Sequence, residues 1–258
     1  METNGDTSKF HLLRCSTNLD GPTLAFVDED REILDQVNKL ARRHFEQKTD
    51  LNHVLAQVYE NSITVNDANK AKEHKAKIKS HSDKTKDMPA NGIIAFCTFY
   101  SSDVSQYKTP SQDRFDRYFK SASVLTKLRF RLKNEVRHLP LAKDFDVTLY
   151  PSSTLLIPLA TNRLYTHEIV PPTLPVGRFP TRLGYVIRCS KTKAVFRDGA
   201  TFIQRAGRED VKLEKPTQVE CHELKTLYQR ENVTAEKIQY GTVYFSLNEG
   251  DYKRPFVE

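Results

Sequence analysis

Between Asp28 and Gln47 the apolar residues Ile33, Leu34, Val37, Leu40, Ala41 and Phe45 recur at steps of three and four. That is the period of an amphipathic helix. The period then changes. Asn52–Tyr59 (NHVLAQVY) reads as a strand, and the polar stretch Glu60–Glu73 as a loop. From Lys75 to Asp83 the chain alternates. If this segment is extended, Lys75, Lys77, Lys79, His81 and Asp83 share one face, and Ala76, Ile78, Ser80 and Ser82 the other. Ile93–Tyr100 is an apolar run with the length of a buried strand. Further short runs cover Leu125–Leu132, Asp146–Tyr150, Ser153–Leu159, Leu164–Val170 and Thr181–Cys189, with a last candidate strand at Tyr244–Leu247.

Breaks in the pattern are as informative. Four prolines between Pro171 and Pro180 preclude regular structure there and predict an extended loop. Residues 101–125 are polar and irregular and read as an insertion, with one short helix near Phe115–Phe119. Thr217-Gln218-Val219-Glu220 has the form of a capping box and opens a helix running toward Asn232. One helix followed by many short strands predicts an α+β, β-rich fold, a sandwich or jelly roll with flanking helices. The length of 258 residues suits a single domain, with a core over about residues 50–190, an N-terminal helix over 28–47 and a C-terminal extension over 190–258.

Composition narrows the partners. The net charge of +7 suits a polyanion such as nucleic acid, and solubility accounts for it equally. No apolar run approaches the length of a membrane span, and Met1–Gly5 is polar, so a soluble protein in the nucleus or cytoplasm is expected. The cysteines Cys15, Cys97, Cys189 and Cys221 form no C-x-x-C pair, which argues against a zinc knuckle and for reduced thiols. Cys97 lies in an apolar run and reads as core.

The alternating segment carries the candidate chemistry. Mononuclear iron oxygenases bind their metal through two histidines and one carboxylate on one face, leaving the other face open. His81-Ser82-Asp83 has suitable spacing on a strand, since residues i and i+2 point the same way. The third ligand has to come from a distant strand, and His167 in Leu164–Glu168 is the candidate. A solvent-facing His81 and a structural His167 are the alternatives. His11, His44, His53, His74, His138 and His222 compete but combine no nearby carboxylate with a strand context as well. Arg182 and Arg188 fall on one face of the strand after the proline loop. Two cations there are costly to bury without an anion, and arginine's fork matches a carboxylate. A pair of surface arginines on an edge strand is the alternative.

In this order, the segments resemble the AlkB-like branch of the iron(II)/2-oxoglutarate-dependent dioxygenases. Asn52–Tyr59 is similar to the family strand whose Asn-x-Tyr contacts 2-oxoglutarate, with Tyr59 matching and Gln57 replacing the asparagine. His81-Ser82-Asp83 matches the His-x-Asp motif, and Ile93–Phe99 the apolar strand that follows it. Ser153–Thr161, running on through Tyr165 to His167, is similar to the segment leading to the distal histidine. Arg182–Arg188 matches Arg-x5-Arg, in which the first arginine binds the distal carboxylate of 2-oxoglutarate and the second lies near its metal-proximal end.

The resemblance covers much of residues 50–190. It implies a double-stranded β-helix, iron(II) held by the catalytic residues His81, Asp83 and His167, 2-oxoglutarate as co-substrate, O2 as oxidant and ascorbate in support. It also implies hydroxylation or demethylation of a methylated nucleobase in DNA or RNA. A basic row fits such a partner: Lys75, Lys77 and Lys79 share the face of His81 and Asp83, and Lys84 and Lys86 follow. Lys79, Lys84, Thr85 and Lys86 are therefore the substrate-side candidates, although a solvated strand face explains the lysines too. Two departures bear on substrate. Gly184 stands where many relatives carry asparagine, and Thr85 and Lys86 stand where several nucleic-acid demethylases carry an acidic residue. A hydroxylase or demethylase of a protein or small molecule, and a non-catalytic binding module, stay open as alternatives.

Overall fold

Side chains that alternate between core and solvent organise the chain into antiparallel sheets, with few helices. A computed structural model of the protein describes residues 1–14, 19–46, 50–66, 69–101, 116–117 and 122–257. The N-terminal part contains β1 (Glu2–Asn4), β2 (Thr7–Leu12), α1 (Asp28–His44), β3 (His53–Tyr59), β4 (Ser62–Val65), β5 (Ala71–His74), β6 (Ile78–His81) and β7 (Ile93–Tyr100). Then come β8 (Asp116–Arg117), β9 (Ala122–Ser123), β10 (Lys127–Leu132), β11 (Asp144–Thr148), β12 (Ser153–Pro158), α2 (Leu159–Leu164) and β13 (Tyr165–Val170). The C-terminal part adds β14 (Arg182–Arg188), β15 (Thr192–Arg197), β16 (Ala200–Ile203), β17 (Val211–Lys212) and α3 (Gln218–Val233).

Two four-stranded sheets, ordered β12-β7-β14-β3 and β11-β10-β13-β6, share one core. In β10, Leu128, Phe130 and Leu132 turn inward, while Lys127, Arg129 and Arg131 face outward. Across the gap Tyr59, Ile94, Phe96 and Ile157 of the other sheet meet them. The uninterrupted apolar run of β7 has a different cause. Its second face, with Ile93, Ala95 and Cys97, packs with Val37 and Ala41 of α1, so the strand is buried on both sides.

The chain ends build a further sheet, β1-β2-β15-β16-β17. Asp198 and Gly199 join β15 to β16 with φ of 51° and 72°, the left-handed pair that an Asp-Gly hairpin turn requires. Buried Arg14 fastens this layer to the rest. Its Nη2 and Nε donate to Asp87 at 2.6 and 3.1 Å, and its Nη1 donates to the carbonyls of Val243 and Phe245. No helix among the described residues is long and apolar enough to cross a membrane.

Most of the expected strands form within two residues of their sequence limits, and the amphipathic helix forms, ending at His44. Five expectations change. The loop over Glu60–Glu73 contains the hairpin β4–β5. Ser62-Ile63-Thr64-Val65 has β propensity, and Asn69 takes up φ of 56° beyond it while the Asn66 side chain accepts from the Lys70 amide. The extended segment Lys75–Asp83 is regular only over Ile78–His81. Its register against β13 slips between His167 and Ile169, so Ile78 and His81, three residues apart, both lie opposite inward-facing residues of β13. The strict alternation therefore fails there. Leu159–Leu164 forms a short helix before β13. Tyr244–Leu247 pairs with no strand, because neighbouring carbonyls are taken by Arg14 and the Ser246 amide donates to Tyr252 Oη. Of the helix expected at Phe115–Phe119, residues 116 and 117 are in β8 and the others lie outside the described residues, as does Cys15.

Removing one member of the buried Arg14–Asp87 pair strands the other charge. Asp87→Ala is expected to lower the unfolding free energy by about 3–5 kcal/mol in urea titrations. Asp6→Ala, which breaks the exposed contact of Asp6 with Arg254, is expected to cost under about 1 kcal/mol.

Candidate metal centre

Antiparallel pairing sets His81, the last residue of β6, directly opposite His167 of β13. Their ring centroids are 4.5 Å apart. Asp83 follows just past the strand end, and its Oδ1 is 3.8 Å from His81 Nε2. One ligand atom from each of His81, Asp83 and His167 lies within 4.8 Å of the others, a group that could hold a metal ion. Among the described residues no other group of three does so. The competing histidines thus drop out.

The three residues differ in their surroundings. His81 Nδ1 lies 2.8 Å from the carbonyl oxygen of Lys79. A carbonyl only accepts, so Nδ1 is the donor in that contact, and Nε2 is the ring nitrogen left to face a metal. His167 is buried between Phe96 and Phe130, and desolvation pulls its pKa down to about 3, which keeps the ring neutral. Burial pushes the Asp83 carboxyl up, but the guanidinium of Arg188, aided by His167 and by the hydrogen bonds of Arg188, holds it well below the usual carboxylate range. Arg188 Nε and Nη2 donate to Asp83 Oδ2 and Oδ1 at 3.0 and 2.9 Å. Asn162 of α2, which sequence reasoning did not single out, brackets the same residue: Asp83 N donates to Asn162 Oδ1 at 2.8 Å, and Asn162 Nδ2 donates to Asp83 O at 2.9 Å.

The three residues open onto a cavity of about 500 Å³ between the two central sheets, which Gln57, Tyr59, Arg182, Gly184 and Arg188 also line. Here the two arginines of β14 part company. Arg188 pairs with Asp83 and lines the cavity at the His-Asp-His end, the end at which the resemblance expects it. Arg182 is 4% exposed, stacks 3.7 Å from the Tyr59 ring centroid, and has no hydrogen-bond partner for Nε or Nη2. Register explains the stack, since Arg182 is opposite Tyr59 and Gly184 opposite Gln57. Gly184 makes room for it: a Cβ there would sit 2.7 Å from Arg182 Nη1 and 3.1 Å from Tyr59 Cε2. The departure at Gly184 is thus steric. Gln57 accepts from Tyr59 Oη at 3.2 Å, which places both expected residues side by side.

The substrate-side candidates divide. Lys79 and Lys84 line the cavity. Lys84 also donates to the Ser82 carbonyl at 2.8 Å and bonds Asn232. Thr85 and Lys86 do not line it, and this corrects their expected role. Thr85 is hydrogen bonded to Glu231 of α3, and Lys86 is buried against Asp87 at 3.1 Å. Lys75 donates to the carbonyls of Pro172 and Thr173.

Scanned against protein-family models the chain matches none, and a search of curated proteins finds no match.

The neutral state of His167 gives the metal-free protein a signature. Its pKa is about 3 in the fold and 6.5 ordinarily, so between these values the unfolded chain binds a proton that the folded one does not. Unfolding free energy is therefore expected to fall as pH drops from 6.5 toward 3. His167→Gln is expected to flatten that decline in urea titrations across the window, and an unchanged slope contradicts the assignment.

Proposed function

We propose that the protein is an iron(II)- and 2-oxoglutarate-dependent dioxygenase of the AlkB-like branch, acting on a methylated nucleobase in DNA or RNA. The observation that carries this reading is one cavity holding both a His-Asp-His group and a buried arginine with unmet donors. Buried guanidinium groups without partners are costly. A dicarboxylate reaching Arg182 from the metal would meet that need, so the donor set fits the co-substrate.

Strand pairing supports a double-stranded β-helix. Rolling up one long antiparallel hairpin of eight strands pairs the first with the eighth, the second with the seventh, and so inward. Counting β3, β6, β7, β10, β11, β12, β13 and β14 as the eight, the pairs β3–β14, β6–β13, β7–β12 and β10–β11 all occur.

When bound, iron(II), 2-oxoglutarate and O2 supply the oxidation that inserts oxygen into a substrate C–H bond, with succinate and CO2 as co-products. The chain does the placing. His81 Nε2, Asp83 and the neutral ring of His167 would hold the metal, and Arg188 keeps Asp83 ionised. Arg182 would take the far carboxylate with its fork, against the Tyr59 ring. Phe96, Leu128 and Ile169 give the cavity an apolar wall that limits water. Lys79, exposed at the cavity, offers charge to a phosphate. An N-methyl carbon hydroxylated in this way leaves as formaldehyde.

One observation favours a second reading. With Thr85 and Lys86 turned into the fold, only part of the basic row reaches the cavity, as befits a hydroxylase or demethylase of a protein or small molecule. Succinate release with iron(II), 2-oxoglutarate and ascorbate, with and without methylated oligonucleotides, separates the two. Stimulation by an oligonucleotide, lost in His81→Ala, is expected. Turnover that no oligonucleotide stimulates points to the second reading. Failure to bind iron(II) anaerobically points to a binding module. Arg182→Leu is expected to raise the KM for 2-oxoglutarate roughly 10–100-fold, the scale of one charged hydrogen-bonded contact. Gly184→Ala shifts it the same way, because the added methyl displaces Arg182.

A further inference from the structure

The His-x-Asp segment straddles the end of a strand, and this creates a structural demand. β6 stops at His81. Beyond it the amides of Ser82, Asp83 and Thr85 have no ladder to join, although Ser82 and Asp83 are 0% and 5% exposed. Buried amides need acceptors. All three find side chains from helices. Ser82 N donates to Asn232 Oδ1 of α3 at 2.9 Å, Asp83 N to Asn162 Oδ1 of α2, and Thr85 N to Glu231 of α3 at 3.2 Å. Thr85 Oγ1 and Tyr240 Oη also bond Glu231, and Lys84 Nζ bonds Asn232.

The end of α3 is itself held in place. Buried Lys133, just after β10, donates to the carbonyls of Glu231 and Thr234 at 2.7 and 2.9 Å, where cations are favoured at a helix C-terminus. The helix therefore has a fixed end that presents Glu231 and Asn232 to the metal-ligand turn. Hydrophobic packing does not supply this, since the turn contributes Ser82, Asp83, Lys84 and Thr85.

We propose that Glu231 and Asn232 of α3 are positioning residues that hold the His81–Asp83 turn in metal-binding geometry. This gives the C-terminal extension a task in the site, and it rests on the metal reading above. Neither residue touches a metal ligand's side chain in the hydrogen bonds described. Their action runs through the backbone of the turn and through Thr85, and Asn162 plays the same part from α2.

The test is cobalt(II) titration of the full chain, followed by the ligand-field absorption of the bound ion, beside thermal unfolding of the metal-free protein. Asn232→Leu removes the acceptor, and Asn232→Asp keeps an oxygen in its place. Thr85→Val removes a donor to Glu231 and is the milder change should Asn232→Leu unfold. Removing a group that orients metal ligands typically weakens affinity 10–100-fold. A loss on that scale with an altered cobalt spectrum is expected in Asn232→Leu, with recovery in Asn232→Asp, and a smaller loss in Thr85→Val. Wild-type affinity and spectrum in folded Asn232→Leu, or in Thr85→Val if that variant alone folds, would overturn the positioning role while leaving the metal site intact. If wild type binds cobalt no better than His81→Ala, the metal reading falls, and the positioning role with it.

Discussion

The buried pair of Asp83 and Arg188 is the constraint on which the rest of the site depends. Removing either ion from water costs several kcal/mol, and only close, doubly hydrogen-bonded geometry offsets this. Arg188 ends β14 of one central sheet, and Asp83 follows β6 of the other. The pair is therefore a polar tie across the gap between the sheets, at the point where the apolar core gives way to the cavity. It keeps a carboxylate ionised in a buried place, which is what a cation ligand requires.

With Arg188 committed, Arg182 at the far end of the same strand face is left with open donors. Two identical residues six positions apart thus reach different states through their neighbours. Arg188 meets a carboxylate. Arg182 meets the flat face of Tyr59 and the space left by Gly184, a contact that favours the cation but satisfies few of its N–H groups. This asymmetry gives the cavity polarity, with the His-Asp-His group at one end and a cation with unmet donors at the other.

The polar segment after His81 shows how helices serve a β-rich core. A strand end cannot satisfy its own amides, and the buried turn at Ser82–Thr85 is closed by Asn162, Glu231 and Asn232. Residues far apart in sequence thus converge on one turn. None of them carries a pattern that marks it beforehand, because a lone Asn or Glu near a helix end is usually solvated.

The sequence by itself determined most strands of the two central sheets, since period-two burial and apolar runs are local properties and Lys127–Leu132 or Arg182–Arg188 can adopt few other shapes. It also determined α1 by its three- and four-residue steps, α3 by its capping box, and the candidate group His81, Asp83 and His167 by residue type and strand context. The hairpin at Asp198-Gly199 was legible too, in a turn dipeptide between β-forming runs, though it was not among the predicted elements. Tertiary structure alone decided the rest. A register slip against β13 put Ile78 and His81 on the core side and ended the alternation that the lysines suggested. The fates of Arg182 and Arg188, the burial of Lys86 and the grip of α3 on Thr85 all depend on partners many residues away. Local pattern records which way a side chain points along its own element. What it meets there is set by how the elements pack.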